Sequence, residues 1–238
     1  NDSIATTVVQ QNATQLLAYN GFTTGATEPV MPLVQANNFN FVTGIQIQNT
    51  GNTNTSVTVS YVAGSAGSNC TETASIAAGA SETFALSSSC TGIGGATFVG
   101  AASVTNNSNN QPLAAIVNQT NLGDSGSAYN AIDSASATGT VSFPLIMQAN
   151  FGFFTGFNVM NVGNSAASVN CTFSGSGGPA NFTQSIAAGS VYTAVQGGAG
   201  QYVGSATCTA SGGSLVGVAN ELGPAGGDTF FAYGGFNQ

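Results

Sequence analysis

Short runs in which apolar and polar residues alternate recur along almost the whole chain. Ile45 and Ile47 alternate with Gln46 and Gln48, and Val57, Val59 and Tyr61 with Thr58 and Ser60. Further on, Phe157 with Val159, and Val169 with Phe173, take the same alternate positions. A period of two places such residues on one face of a strand and turns their polar neighbours away from it. Runs of this kind, punctuated by Gly, Asn and Ser, predict antiparallel β-sandwiches. No stretch carries the 3.6-residue period of an amphipathic helix, so the expected fold is all-β.

The pattern is written twice. FVTGIQIQNTGN (Phe41 to Asn52) matches FFTGFNVMNVGN (Phe153 to Asn164), SIAAG recurs at Ser75 and Ser185, and PLAAIVN from Pro112 matches SLVGVAN from Ser214. An internal duplication follows. It predicts two tandem antiparallel, immunoglobulin-like β-sandwiches, residues 30–140 and 141–238, preceded by an N-terminal strand segment, residues 1–29. That segment holds two apolar clusters, Ile4 with Val8 and Val9, then Leu16, Leu17 and Tyr19. A short tail occurs three times: LAYNGF at Leu17, AYNAI at Ala128 and AYGGF at Ala232. Three tails serve two bodies. Either the N-terminal tail engages a neighbouring copy, or it folds onto its own first body as each later tail folds onto the body that follows it, leaving the C-terminal tail in surplus.

Composition narrows the partners. The 238 residues include no Lys, Arg or His, and eight carboxylates give a net charge of −8. Soluble proteins average roughly one cation in nine residues, so the absence is selective. It excludes a phosphate clamp and disfavours nucleic acid and anionic lipid. Apolar content of 42% suffices for packed cores. No apolar run reaches the roughly 20 residues of a membrane span, and a chain that starts at Asn1 reads as a mature product exported through a cleaved signal peptide.

The motifs in their order, PLV or PLI, GIQIQNTG, a VTVSY strand, IAAG, FVG, PLAAIVN, then Gly-Asp and AYNGF, resemble the tandem β-sandwich repeats of secreted bacterial surface proteins. The resemblance covers nearly the whole chain. It implies an extracellular structural role rather than a reaction.

Four cysteines fit an oxidising compartment. Cys171 and Cys208 fall where the first body has Val59 and Val104, both inward by alternation, which predicts a bridge across the second core. Cys70 and Cys90 flank the first IAAG turn and are expected to pair there. Closing loops of roughly 20 and 40 residues would stabilise each body by about 3 to 4 kcal/mol. Metal binding lacks both CxxC spacing and His.

Catalytic chemistry is sparse. With His absent, only paired carboxylates remain for acid–base work. Asp124-Ser125-Gly126 resembles an aspartic-protease loop, but its repeat partner reads Asp228-Thr229-Phe230, without the Gly that a catalytic dyad uses for close approach. Asp in such a loop is ordinarily a turn residue. Asp124 and Glu221 could contribute to a weak calcium site, though no DxDxDG loop occurs; no metal or other cofactor is expected. Asn-x-Ser/Thr sequons mark Asn12, Asn54, Asn69, Asn106 and Asn181 as candidate glycosylation sites, and Asn118 and Asn170 adjoin inward strand positions. Phe39, Phe151 and Phe154 lie at strand entrances, where core packing is favoured over stacking on a sugar.

The expected function is a non-enzymatic extracellular subunit that assembles head to tail with copies of itself into a filament, pilus-like fibre or surface array. Ile4, Val8, Val9, Leu16, Leu17 and Tyr19 would supply the inserted strand. The alternatives are an adhesive or carbohydrate-binding module and, third, an acid hydrolase.

Overall fold

The computed structural model describes residues 5–86, 95–121, 125–198, 200–224 and 226–238. Two strands come first, β1 (Thr7–Gln11) and β2 (Leu16–Asn20). The first half then contains β3 (Pro29–Ala36), β4 (Phe41–Asn49), β5 (Thr55–Ala66), β6 (Cys70–Ile76), β7 (Ser81–Ala85), β8 (Phe98–Asn106), β9 (Leu113–Asn121), β10 (Gly126–Asn130) and β11 (Ile132–Asp133). After a 3-10 turn at Ser134–Ser136 come β12 (Thr140–Gln148), β13 (Phe154–Asn161), β14 (Ala167–Ser174), β15 (Phe182–Ile186), β16 (Val191–Val195), β17 (Tyr202–Ser211), β18 (Leu215–Leu222), β19 (Phe230–Gly234) and β20 (Phe236–Asn237). No α-helix occurs among the described residues. The all-β expectation holds.

Each half is a sandwich of a four-stranded and a five-stranded antiparallel sheet. The first half has the orders β10-β9-β4-β7 and β11-β3-β8-β5-β6; the second has β19-β18-β13-β16 and β20-β12-β17-β14-β15. The two orders correspond strand for strand. Alternation decides what lies between the sheets: Ile45, Ile47, Val57, Val59 and Tyr61 are buried in the first core, Phe157, Val159 and Val169 in the second, with Phe173 packed against it.

Local chemistry explains shared irregularities. The β3–β8 register shifts between Met31 and Val34, and the β12–β17 register between Phe143 and Ile146. Pro32 and Pro144 sit at those breaks, because proline has no N–H to give the ladder. The QNTGN and MNVGN motifs also acquire a cause. Asn49 is fully buried and donates Nδ2–H to the carbonyls of Thr53 (2.7 Å) and Ile76 (3.1 Å), while its Oδ1 accepts from Gly51 N–H. Asn161 makes the same three bonds, to Ser165 O (2.8 Å), Ile186 O (3.0 Å) and Gly163 N–H. Each amide pins a β-turn to the IAAG turn, whose Gly79 (φ 73°) and Gly189 (φ 68°) supply the left-handed residue.

Cys171 and Cys208 are disulfide-bonded with Cα atoms 4.0 Å apart. The pairing matches expectation, but the bridge does not cross the core. The two residues face each other on neighbouring strands β14 and β17 of one sheet, as Val59 and Val104 do on β5 and β8. Alternation showed that both point inward and said nothing of which sheet each belongs to. Cys70 is also disulfide-bonded; Cys90, its expected partner, lies outside the described residues.

The later tails do not follow the alternative in which each folds onto the body after it. β10 pairs with β9 and β11 with β3, so the second tail closes both sheets of the half that precedes it. β19 with β18, and β20 with β12, do the same in the second half. Tyr129 and Tyr233 fix the arrangement, their hydroxyls donating to the carbonyls of Leu33 and Leu145 respectively.

The halves pack closely. Along β18, Leu215 and Ala219 face their own core, while Val216, Val218 and Asn220 turn outward onto the first half. Val218 joins the first core, and Val216, Met160 and Val191 pack with Val30 and Ala101. Asn220 and Gln119 exchange two side-chain hydrogen bonds of 3.0 and 3.1 Å, and Gln119 Oε1 also accepts from Gln35 Nε2 at 3.2 Å. Covered on both faces, β3 is buried at all eight positions.

Candidate assembly surfaces

The N-terminal tail forms a hairpin. β1 and β2 pair only with each other among the described residues, Thr7 opposite Asn20 through Gln11 opposite Leu16. Asn12 shapes the turn by accepting from Thr14 N–H and Gln15 N–H through Oδ1. The hairpin lies over the outward face of β9 and β10. Asn118 Nδ2 donates to Gln10 Oε1 (3.2 Å), Gln15 Nε2 to the carbonyls of Asn121 and Ser125, and Asn130 Nδ2 to Asn20 O. Gly126 has no side chain where Leu17 packs; a Cβ there would stand 2.7 Å from Leu17 Cδ1.

Of the residues expected to make the inserted face, Leu17 is buried and Tyr19 half-buried against this chain. Val8 (38%), Val9 (57%) and Leu16 (50%) are exposed. Ile4 lies outside the described residues. A strand that keeps half its apolar side chains in water is weakly tied, since only buried area contributes, at about 25 cal/mol per Å².

All three tails meet in one cleft of about 640 Å³, lined by Ala18 to Asn20, Ala128 to Ile132, and Ala232 to Gly234 with Phe236. Repetition in the sequence showed the three segments and not that they converge.

Asp228 is spent on backbone donors: its carboxylate accepts from Leu16 N–H (2.6 Å) and Gly126 N–H (3.1 Å). It thereby ties the hairpin to the second half. Asp124 lies outside the described residues. Among those described, no cluster of metal-binding side chains occurs.

Glu221 is the unusual carboxylate. It is 3% exposed, receives the Thr155 hydroxyl on Oε2 at 2.6 Å, and has no partner for Oε1. Burial pushes its pKa up to about 7, with the Thr155 hydrogen bond pulling the other way.

Phe39 and Phe151 do not pack in a core. They are 87% and 86% exposed, at equivalent turns between β3 and β4 and between β12 and β13, both at positive φ (49° and 48°). A non-glycine residue pays for that backbone conformation, and neither ring recovers the cost by burial. Phe154 is half-buried. Among the sequons, Asn12, Asn54, Asn69, Asn170 and Asn181 are exposed and Asn118 half-buried. Asn106 is also half-buried, with its Nδ2 committed to Gln111 O at 2.8 Å.

No helix among the described residues is long and apolar enough to cross a membrane. No family model matches the chain, and neither a curated protein nor a solved structure matches it.

Proposed function

We propose that this chain is a non-enzymatic extracellular structural subunit, related to the tandem β-sandwich repeats of secreted bacterial surface proteins. It is exported through a cleaved signal peptide and assembles head to tail into a filament, pilus-like fibre or surface array. The observation that carries the reading is the placing of the tails. The second and third each supply the closing edge strands of the half before them, whereas the first, among the described residues, joins no sheet of either half. Strand addition to a neighbouring copy gives it one. The contact joins unlike surfaces, so it propagates rather than closing into a dimer. Disulfides suit an oxidising exterior, and a chain without cations offers few groups for catalysis.

Deleting residues 1–22 is expected to leave folded monomers that no longer polymerise, scored by electron microscopy and sedimentation. Fibres from the deleted chain would refute strand donation.

A second reading, an adhesive or carbohydrate-binding module, is favoured by Phe39 and Phe151, two rings held in solvent at matched turns. It predicts monomers that bind a glycan and lose binding on Phe39→Ala with Phe151→Ala.

A further inference from the structure

The two halves differ in one systematic way: the surface of the first half that the second half covers has an uncovered counterpart on the second half. Register identifies the equivalents. Gln35 pairs with Val99 and Met147 with Val203; Thr43 stands opposite Gln119 and Thr155 opposite Glu221; Gly44 stands opposite Asn118 and Gly156 opposite Asn220. Leu33 and Val99 are 5% and 7% exposed beneath the second half, but Leu145 and Val203 are 37% and 53% exposed. Ile132 is half-buried, while Phe236, its equivalent beside β12, is 61% exposed. The second half thus ends in an apolar face built like one that is already a binding surface within the chain.

Two orphaned polar atoms point to the occupant. Inside the chain, Gln119 of the first half pairs with Asn220, which projects outward from the second. The residue of the second half equivalent to Gln119 is Glu221, whose Oε1 is buried without a partner. The residue of the first half equivalent to Asn220 is Asn118, whose Oδ1 is also buried without a partner. Both atoms are acceptors: Asn118 Nδ2 can donate to Glu221 Oε1, and Asn118 Oδ1 gains a donor from that carboxyl when it carries its proton. A buried acceptor without a donor is destabilising, so contact between Asn118 and a protonated Glu221 satisfies both.

We infer that the exposed Leu145–Val203–Phe236 face of one copy receives the outward face of the first half of a second copy, repeating the contact made between the halves and bringing Asn118 against Glu221. Ala114 and Ile116, next to Asn118 on that outward face and each 7% exposed in the single chain, take the places of Val216 and Val218 once the face is uncovered. The hairpin that covers Asn118 swings away as its strands are donated, so one movement frees both the tail and the docking face. This geometry rests on the head-to-tail assembly proposed above and gives it a second contact. The repeat of a heterologous contact makes an open fibre whose spacing is set by the relation between the halves.

The test uses the full chain. Copies carrying only Asn118→Cys are mixed with copies carrying only Glu221→Cys, assembled, oxidised and run without reductant. A disulfide-linked heterodimer is the expected product. Separately, Leu145→Asp with Val203→Asp, both on solvent-exposed positions, should raise the concentration needed for polymerisation at least tenfold while circular dichroism and the melting temperature stay those of the parent. Polymers that form at the parent concentration without heterodimer overturn this interface and leave tail donation standing. A parent chain that forms no polymer under any tested condition overturns both.

Discussion

Replacing Glu221 by Gln should make the chain more stable at neutral pH and leave it unchanged in acid. The carboxyl is buried with one oxygen unpaired, and its pKa rises from an ordinary 4.5 to about 7. A raised carboxyl binds its proton more tightly in the folded state. Stability is therefore unpenalised below about pH 4.5, falls as pH rises through the window from 4.5 to 7, and stays low above it. A displacement of that size corresponds to at most about 3 kcal/mol. Relaxation around a buried charge lowers this, so about 2 kcal/mol is the expected difference. Gln is neutral throughout and its carbonyl still accepts from Thr155. Gln119, opposite Thr43, already occupies the equivalent place in the first half. Tyr233 is held neutral well above this window by burial and by Glu221 itself. Urea unfolding of dilute monomer at pH 4, 6 and 8 measures the effect. The variant should gain on the parent by about 2 kcal/mol between pH 4 and pH 8. A difference constant to within about 0.5 kcal/mol across that range would refute the reasoning, because the remaining carboxylates are common to both proteins.

Three further outcomes are expected. Asn49→Ala or Asn161→Ala strips two carbonyls and one amide of their buried partner and should cost about 3 kcal/mol; a loss below about 1 kcal/mol in chemical denaturation would show that water replaces the clamp. Cys171→Val with Cys208→Val copies the Val59–Val104 pair and should lose about 3–4 kcal/mol of loop-closure stabilisation, offset in part by packing. An unchanged melting temperature would assign the disulfide no thermodynamic role. Phe39→Asn with Phe151→Asn should leave stability the same or raise it by up to about 1 kcal/mol, since Asn tolerates positive φ better; a marked loss would mean that the rings pack after all.

Much of the architecture was legible in the sequence because its period of two has a single physical meaning, one face in and one face out. Val57, Val59, Ile45 and Ile47 needed nothing more. What alternation cannot encode is which strand lies beside which. The Cys171–Cys208 bridge was therefore assigned across the core when it joins neighbouring strands, and the sheet edges that each tail closes were left open. Phe39 and Phe151 escaped for another reason: aromatic residues near strand ends are ordinarily buried, and their exposure follows from a turn at positive φ that no local pattern announced. Glu221 was visible as a carboxylate, but its burial and its relation to Asn118 depend on register across the two halves. The hairpin's apolar residues were legible as a set, but their burial was not. Apolar content marked Val8, Val9 and Leu16, yet only the fold distinguishes them, exposed, from Leu17, which is held.

A bridge between adjacent strands also has a mechanical consequence. Cys171 and Cys208 are separated by 37 positions, a segment that could otherwise be drawn out to roughly 120 Å when stretched. The bond withholds that length. If a fibre of such subunits is pulled and a second sandwich gives way, the chain running between β14 and β17 stays looped, so each unit yields less and the fibre as a whole remains stiffer at large strain.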